Sequence, residues 1–285
     1  MEKIHCSVGI LTFNSAATLR RTLESVKMFD DSIICDGGST DDTLAIAHEF
    51  GARVIAQDAR YKNKDNTLRD FSGVRNQCLD AAIHDWFLYI DSDETISDEL
   101  REDIRQIVSR PLAAGDPLVY RVPIGIMMDG RRIRYSSNFP GYQHRLFNRT
   151  SGARFHKPVH EKIRYPDGVP IGTLSHPWYV FTTRDEWHHY LLHTKGYRAQ
   201  EAQLYATKSW GFFIRRIVLR GLRTCLGALG KSSRNYLLHG FSEAIPVRGE
   251  LGRAVAPFCL MAAILYRKLC RASTTTATHD DTSLA

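Results

Sequence analysis

The sequence has no C-x-x-C pair; its six cysteines, Cys6, Cys35, Cys78, Cys225, Cys259 and Cys270, are scattered. That scatter argues against ligand clusters and disulfides and predicts reduced thiols, most of them in the core. No apolar run reaches the roughly 20 residues of a membrane span. The longest candidate, 254–266, contains Pro257. Glu2, Lys3 and His5 interrupt the N-terminus, so no cleavable signal is expected and a cytoplasmic protein is the default. Internal repeats and nucleic-acid motifs are absent. Acid is also in deficit: 38 Lys and Arg against 31 Asp and Glu leave a formal charge of +7. Such an excess suits an anionic ligand, a nucleic acid or an anionic membrane surface without choosing among them.

What is present is ordinary for a globular chain of 285 residues, 43% hydrophobic and 24% charged, enough for one large domain or two small ones. Residues 7–12 (S-V-G-I-L-T) read as a first strand, broken by Phe13-Asn14-Ser15. Ser15 is placed to cap a helix over 16–28, where Leu19, Leu23 and Val26 recur at helical spacing. A second strand, 32–35, ends in Asp36 and the turn G-G-S-T-D-D-T. Its glycines allow a tight turn beside a ligand, and Ser39 or Thr40 is positioned to cap a helix over 43–50. Residues 53–56 form a third strand, followed by a polar loop and a helix over about 67–83 carrying Arg69, Arg75 and Asn76.

The fourth strand, in the stretch 86–94, is W-F-L-Y-I running into D-S-D-E. An apolar run without alternation fits a strand buried on both faces. Carboxylates at its C-terminal end sit where open α/β sheets bind ligands. Asp91 and Asp93 are spaced to reach one divalent cation, and magnesium is commonly held by such carboxylates with substrate phosphates. Taken alone, a D-x-D fits an acidic turn as well. Ser97 caps the next helix, 98–109. Strand and helix therefore alternate, which predicts a mostly parallel sheet with right-handed crossovers. In that fold Asp36 and Asp91 share one crevice, so the two acidic turns support each other.

After Pro111 the pattern becomes β-rich, with strands over 118–126, 133–135 and 144–147 and a polar cluster at 155–161 (F-H-K-P-V-H-E). Helical spacing returns over 184–207. His188, His189 and His193 lie there without a protease-type zinc motif, so they read as ordinary surface or core histidines. Residues 210–229 mix apolar side chains with Arg215, Arg216, Arg220 and Arg223, the makings of a basic amphipathic helix able to lie on an anionic leaflet or to pack on the catalytic domain. The tail after Arg271 is low in apolar content and expected to be disordered.

The ordered motifs V-G-I-L-T-F-N, D-G-G-S-T-D-D-T and F-L-Y-I-D-S-D-E resemble the N-terminal half of family 2 glycosyltransferases of the GT-A fold. Further on, M-D-G-R-R-I-R, F-P-G-Y-Q-H-R-L-F and K-P-V-H-E resemble the lipopolysaccharide-core glucosyltransferase branch. The resemblance covers about residues 5–205 and implies a GT-A domain over 1–205, a basic helical extension over 206–271 and a tail over 272–285. The implied fold is a Rossmann-like, mostly parallel sheet flanked by helices. Two departures stand out: the usual D-D-G-S is D-G-G-S here, and Gly141 replaces an acid common in the branch.

By resemblance, Thr12, Phe13 and Asn14 flank the nucleotide, with the Phe13 ring beside the base and Asp36 accepting from it. Arg75 and Asn76 match a basic patch near the diphosphate; Asp91 and Asp93, with Ser92 between them, match the pair that approaches the ribose and holds Mg2+ or Mn2+. His160 falls close to that metal, Arg145 offsets phosphate charge, and Glu161 matches the general base. The implied reaction is an inverting hexosyl transfer from a nucleotide-sugar, a UDP-hexose, to a hydroxyl of a cell-envelope glycan or lipid-linked acceptor at the inner face of the cytoplasmic membrane. A metal and a guanidinium stabilise the departing diphosphate, while a carboxylate on the other face takes the acceptor proton. Three other readings compete. D-S-D-E-T fits a haloacid-dehalogenase-type phosphatase with Asp91 as nucleophile, although three strands precede it instead of none. A sugar nucleotidyltransferase would share the sheet but open on a glycine-rich, arginine-containing loop. A non-catalytic membrane-surface binder would use the positive charge alone.

Overall fold

The computed structural model describes residues 2–280 apart from Asn138, Pro140, Val159 and His160. As the sequence predicts, β1 (Ile4–Thr12), α1 (Ala16–Val26), β2 (Phe29–Asp36), α2 (Thr43–Glu49), β3 (Arg53–Ala56), α3 (Phe71–Asp80) and β4 (Trp86–Asp91) alternate; an additional short strand, β5 (Glu94–Ile96), then precedes α4 (Asp98–Ser109). A run of strands follows: β6 (Val119–Met128), β7 (Arg131–Ile133), β8 (Tyr142–Asn148), β9 (Arg154–His156), β10 (Lys162–Arg164), β11 (Ile171–Thr173) and β12 (Trp178–Thr182). The remainder is helical: α5 (Arg184–His188), α6 (Tyr190–His193), α7 (Lys195–Ala206), α8 (Trp210–Phe212), a π-helical segment Phe213–Val218, α9 (Leu219–His239) and α10 (Val247–Asp280). The chain forms two compact units, one of residues 1–127 and 140–181, the other of 128–139 and 182–285.

In the first unit the sheet runs β3-β2-β1-β4-β8-β6-β12-β5. β3, β2, β1 and β4 are mutually parallel. β8 is antiparallel to both β4 and β6, so the sheet is mixed beyond its parallel core. Successive residues of the central strands enter opposite cores. Trp86, Leu88 and Ile90 pack with Leu19, Leu23, Leu100 and Ile104 of α1 and α4. Phe87 and Tyr89 pack with Val74, Cys78 and Leu79 of α3. This double burial is why β4 reads as an unbroken apolar run. Gly9 of β1 lies under Phe87, where an added Cβ would stand 2.4 Å from the ring.

Several boundaries differ from the sequence expectation. α3 starts at Phe71, not near residue 67, because Asp70 accepts from Gly73 N and caps it there. Residues before it are spent in a turn, with Thr67 bonded to Asp65 and Lys62 bridged to Leu68. Ser39 and Thr40 do not cap α2. Instead the Asp41 carboxylate accepts from Thr43 N and Oγ1, and also from Ala16 N at the start of α1. Ser15 stands at the N-cap of α1 with no side-chain capping bond, whereas Ser97 does cap α4 through Leu100 N. Cys6, Cys35 and Cys78 are buried, Cys225 and Cys259 half-buried and Cys270 exposed.

The second unit has its own small core of Ala202, Phe213, Ile217 and Ile264. Glu250 is buried there and accepts from Ser137 N and Oγ. The expected helix over 184–207 is divided into α5, α6 and α7, the first opened by a capping box of Thr183 and Glu186. Pro257 lies inside α10 and does not end it. The stretch Val247–Cys270 is therefore long and apolar enough to cross a membrane, and only 22% of its 18-residue apolar window is buried. The sequence expectation of no such stretch is corrected to that extent, although core helices of soluble proteins reach the same length and composition. The helix continues to Asp280, into the stretch expected to be disordered. Residues 281–285, the end of that tail, lie outside the described residues.

Candidate active site

The register of the parallel strands brings the two acidic turns to one edge. Thr12 is paired with Asp36 across β1 and β2, and Leu11 with Asp91 across β1 and β4. Asp36 and Asp91 therefore flank the C-terminal end of β1, the edge at which parallel sheets take ligands.

On the β2 side, Asp36 organises its own turn. It is buried, and its carboxylate accepts from Thr12 Oγ1 at 2.8 Å, Ser39 Oγ at 2.6 Å, and Gly38 N and Ser39 N at 2.8 Å each. Burial raises its pKa, but the bonds from Ser39, Thr12 and Gly38 outweigh that and hold it below the usual carboxylate range. Gly38 has φ +96°, a conformation that favours glycine. The loop after β1 is tied in by Asn14, whose N donates to Ser39 Oγ and whose Oδ1 accepts from Thr40 N. Phe13 is 59% exposed at this edge, its ring against Gly37. An exposed phenyl ring beside a rigid turn is a stacking surface for a flat ligand.

On the β4 side, α1 fastens the acidic turn from behind. Thr22 Oγ1 donates to Ser92 O at 2.9 Å and Glu94 O at 2.7 Å, and Arg21 Nη2 donates to Asp93 O at 3.1 Å. Ser92 Oγ bonds to Ser15 Oγ at 3.0 Å. With the carbonyls held by α1, the turn is fixed from behind and its acidic side chains are presented at the edge. Glu94 turns inward, buried, and accepts from Asp91 N, Trp178 Nε1 and both terminal nitrogens of Arg145. Arg145 is buried between the Tyr89 and Trp178 rings, with a bond to the Tyr89 carbonyl. Its guanidinium thus supports the turn through Glu94.

Arg75, on α3, joins the two halves of the expected chemistry. Its Nη2 donates to Asp91 Oδ1 and its Nε to Glu161 Oε1, both at 2.5 Å, with the guanidinium over the Tyr89 ring. Asn76 beside it plays a different part. Its amide pairs with Phe155 O and Phe155 N, each at 3.0 Å, and docks α3 onto β9. The structure thus brings Thr12, Phe13, Asn14 and Asp36 together on one side of β1, and Arg75, Asp91, Ser92 and Glu161 on the other. His160 lies outside the described residues.

The acidic pair is electrostatically split. Desolvation opposes ionisation of Asp91, whose side chain is only partly covered, but the charges of Arg75 and Arg145 and the Arg75 bond hold its pKa below the usual value. Desolvation and the negative charge of Asp91 push the Asp93 pKa up. A hard divalent cation fits this donor set: two carboxylates on a braced turn, one of them kept from easy ionisation by the other's charge, as a shared cation would relieve. Arg21 and Thr22 were not singled out from the sequence. Only Thr22 left a trace there, as a polar residue beside Leu23 on an otherwise buried helix face.

Residues 7–164 match the family model described as glycosyl transferase family 2. Over 108 residues the chain is 39% identical to an uncharacterized glycosyltransferase of Rickettsia felis, covering 38% of this chain and 34% of that protein. It is 34% identical over 158 residues to a TPR repeat-containing protein of Synechococcus elongatus, covering 55% of this chain and 35% of the other. The matched part thus spans about a third of the length of these curated relatives. Among solved structures, S. aureus TarS 1-349 in complex with UDP-GlcNAc aligns over 94% of this chain and 89% of that one, at 13% identity and a TM-score of 0.43.

Proposed function

The chain belongs to glycosyl transferase family 2, and on that premise we propose that it transfers a hexose from a UDP-sugar to a hydroxyl of a cell-envelope glycan or glycolipid, inverting the anomeric carbon. The observation that carries this reading is the Arg75 bridge between Asp91 and Glu161. It sets a candidate base beside a candidate diphosphate site, with a guanidinium between them.

In this reading Phe13 stacks on the base, and the turn organised by Asp36 forms the floor of the nucleotide site. Since Thr12, Gly38 and Ser39 fill the Asp36 carboxylate, a base that bonds to it does so in competition with them. Asp91 and Asp93 would hold Mg2+ or Mn2+, with His160, the residue before Glu161, as the further ligand that the resemblance implies. When bound, the ion supplies Lewis-acid stabilisation of the departing diphosphate. Arg75 adds positive charge at the same place, and Arg145 acts one layer deeper by fixing Glu94 and so the turn. Glu161 takes the acceptor hydroxyl's proton as that oxygen attacks; its carboxylate is 17% exposed, with Oε1 held by Arg75.

The second unit supports a membrane-side location. Around Arg215, Arg216, Arg220 and Arg223, α9 exposes Leu219, Leu222 and Leu226, and Leu237, Leu238 and Phe241 are exposed near its end. Guanidinium groups with bare leucines suit an anionic leaflet, and a lipid-linked acceptor would be found there.

A panel of nucleotide-sugars tested by thermal shift with and without Mn2+ tests the donor side. A rise in Tm with one UDP-sugar and metal together, and not with either alone, is the expected result. Stabilisation by no nucleotide-sugar would refute the proposal, and release of phosphate from simple phosphoesters would restore the phosphatase reading.

A further inference from the structure

At the opposite edge of the sheet, where the parallel strands begin, His5, Asp30 and His84 converge. His5 is the second residue of β1, Asp30 the second of β2, and His84 precedes β4. His84 Nε2 stands 3.0 Å from Asp30 Oδ2, and His5 Nδ1 stands 3.7 Å from the same oxygen. One ligand atom from each lies within 4.8 Å of the others. For tetrahedral zinc with bonds of about 2.0–2.1 Å, ligand atoms are about 3.3 Å apart. The two measured separations bracket that value, and the third, between the two imidazoles, is no more than 4.8 Å.

The backbone beneath is built to hold this cluster. β1 carries a register shift between Ile4 and Ser7, the segment that contains His5. Bulges of this kind re-aim a side chain. Ser7 Oγ then accepts from Ile83 N and His84 N, both at 3.1 Å, and donates to Asp31 Oδ2 at 2.5 Å. Arg53 clamps Asp31 through Nε and Nη2. Ser7 and Asp31 are buried, so the backbones carrying all three outer side chains are fastened to one another by an interior network. A simple His84–Asp30 pair would need neither the bulge nor His5.

We propose that His5, Asp30 and His84 form a second metal site, for a divalent transition metal of the zinc type, separate from the acidic pair at the other edge. Two imidazoles and one carboxylate suit zinc, whereas the all-carboxylate pair Asp91 and Asp93 suits Mg2+ or Mn2+. Three protein ligands leave the fourth position to water. The bound ion ties the beginnings of β1 and β2 to the segment entering β4, and so acts as a structural staple that binds the folded chain and not the unfolded one. This inference does not depend on the sugar-transfer reading.

The test is calorimetric titration of the EDTA-treated full chain with Zn2+ in millimolar Mg2+, added to compete at the acidic pair. One Zn2+ per chain is expected, with a rise in Tm that EDTA reverses. His5→Ala, Asp30→Asn and His84→Ala should each weaken binding by about tenfold or more, while Asp93→Asn leaves it unchanged. Because His5 is exposed, its alanine variant keeps the metal-free Tm of the parent and separates lost ligation from lost folding. X-ray absorption should report two imidazole nitrogens. Zn2+ affinity equal in the parent and His5→Ala, or lost only in Asp93→Asn, would overturn the proposal.

Discussion

Glu161 and Asp91 are held on one guanidinium, with Arg75 Nε 2.5 Å from Glu161 Oε1 and Arg75 Nη2 2.5 Å from Asp91 Oδ1. Arg75 is buried, whereas Asp91 is 42% and Glu161 17% exposed at the side chain. Replacing Arg75 by Met would keep the volume and remove the charge both carboxylates face. The expected cost is about 3 kcal/mol, the low end for a broken buried pair because Asp91 is half-exposed. Urea denaturation measures it, and UDP binding should be lost as well.

Glu161→Gln keeps a carbonyl oxygen for Arg75 and removes the base. Donor binding by calorimetry should persist, while turnover falls by about 100- to 10,000-fold, the usual contribution of a positioned base. Unchanged turnover would place the base elsewhere.

Asp93 carries a pKa raised by desolvation and by the charge of Asp91. A carboxyl raised on folding contributes stability that is fully present below its unfolded pKa of about 3.9 and is lost as pH rises through the folded value. Asp93→Asn should therefore have a slightly higher Tm than the parent at pH 7 and a flatter Tm profile above pH 4. The same variant should lose metal-dependent nucleotide binding. A lower Tm at pH 7 would contradict the assigned sign.

Asp36 has the opposite sign. Its pKa is lowered because the hydrogen bonds of its turn outweigh burial, so its contribution is present above the unfolded value and is lost as pH falls through the folded one. Asp36→Asn should cost about 1–3 kcal/mol at pH 7, since donors in the turn are left unpaired. The difference from the parent should shrink in acid. Equal stability at pH 7 would show that the turn holds without the charge.

Replacing Arg215, Arg216, Arg220 and Arg223 together by Gln tests membrane attachment. At about 1 kcal/mol per basic residue near an anionic surface, co-sedimentation with phosphatidylserine vesicles should fall steeply, with transfer to a soluble acceptor unchanged. Equal sedimentation would remove the proposed membrane role.

The alternation of strands and helices up to Ser109 was legible in the sequence because each element advertises itself locally. Leu19, Leu23 and Val26 recur at helical spacing, and the short apolar run W-F-L-Y-I fits a strand covered on both faces. Family membership was legible too, since the motifs at the ends of those strands are short, local and in a fixed order along the chain. The β-rich half was read less sharply: antiparallel pairing such as β4 with β8 joins residues distant in sequence, and no local period reports it.

The sequence by itself determined the parallel core, its order of elements and the clustering of acids at strand ends. Only the tertiary structure decided what those acids do. Asp36 is saturated by its own turn, Glu94 faces inward to Arg145, and Arg75 is shared between Asp91 and Glu161. The reason is physical. Which strand end an acid occupies follows from backbone periodicity, a local property. Which donor it meets is set by register and by helices packed across the sheet, and those contacts join residues that no spacing along the chain relates.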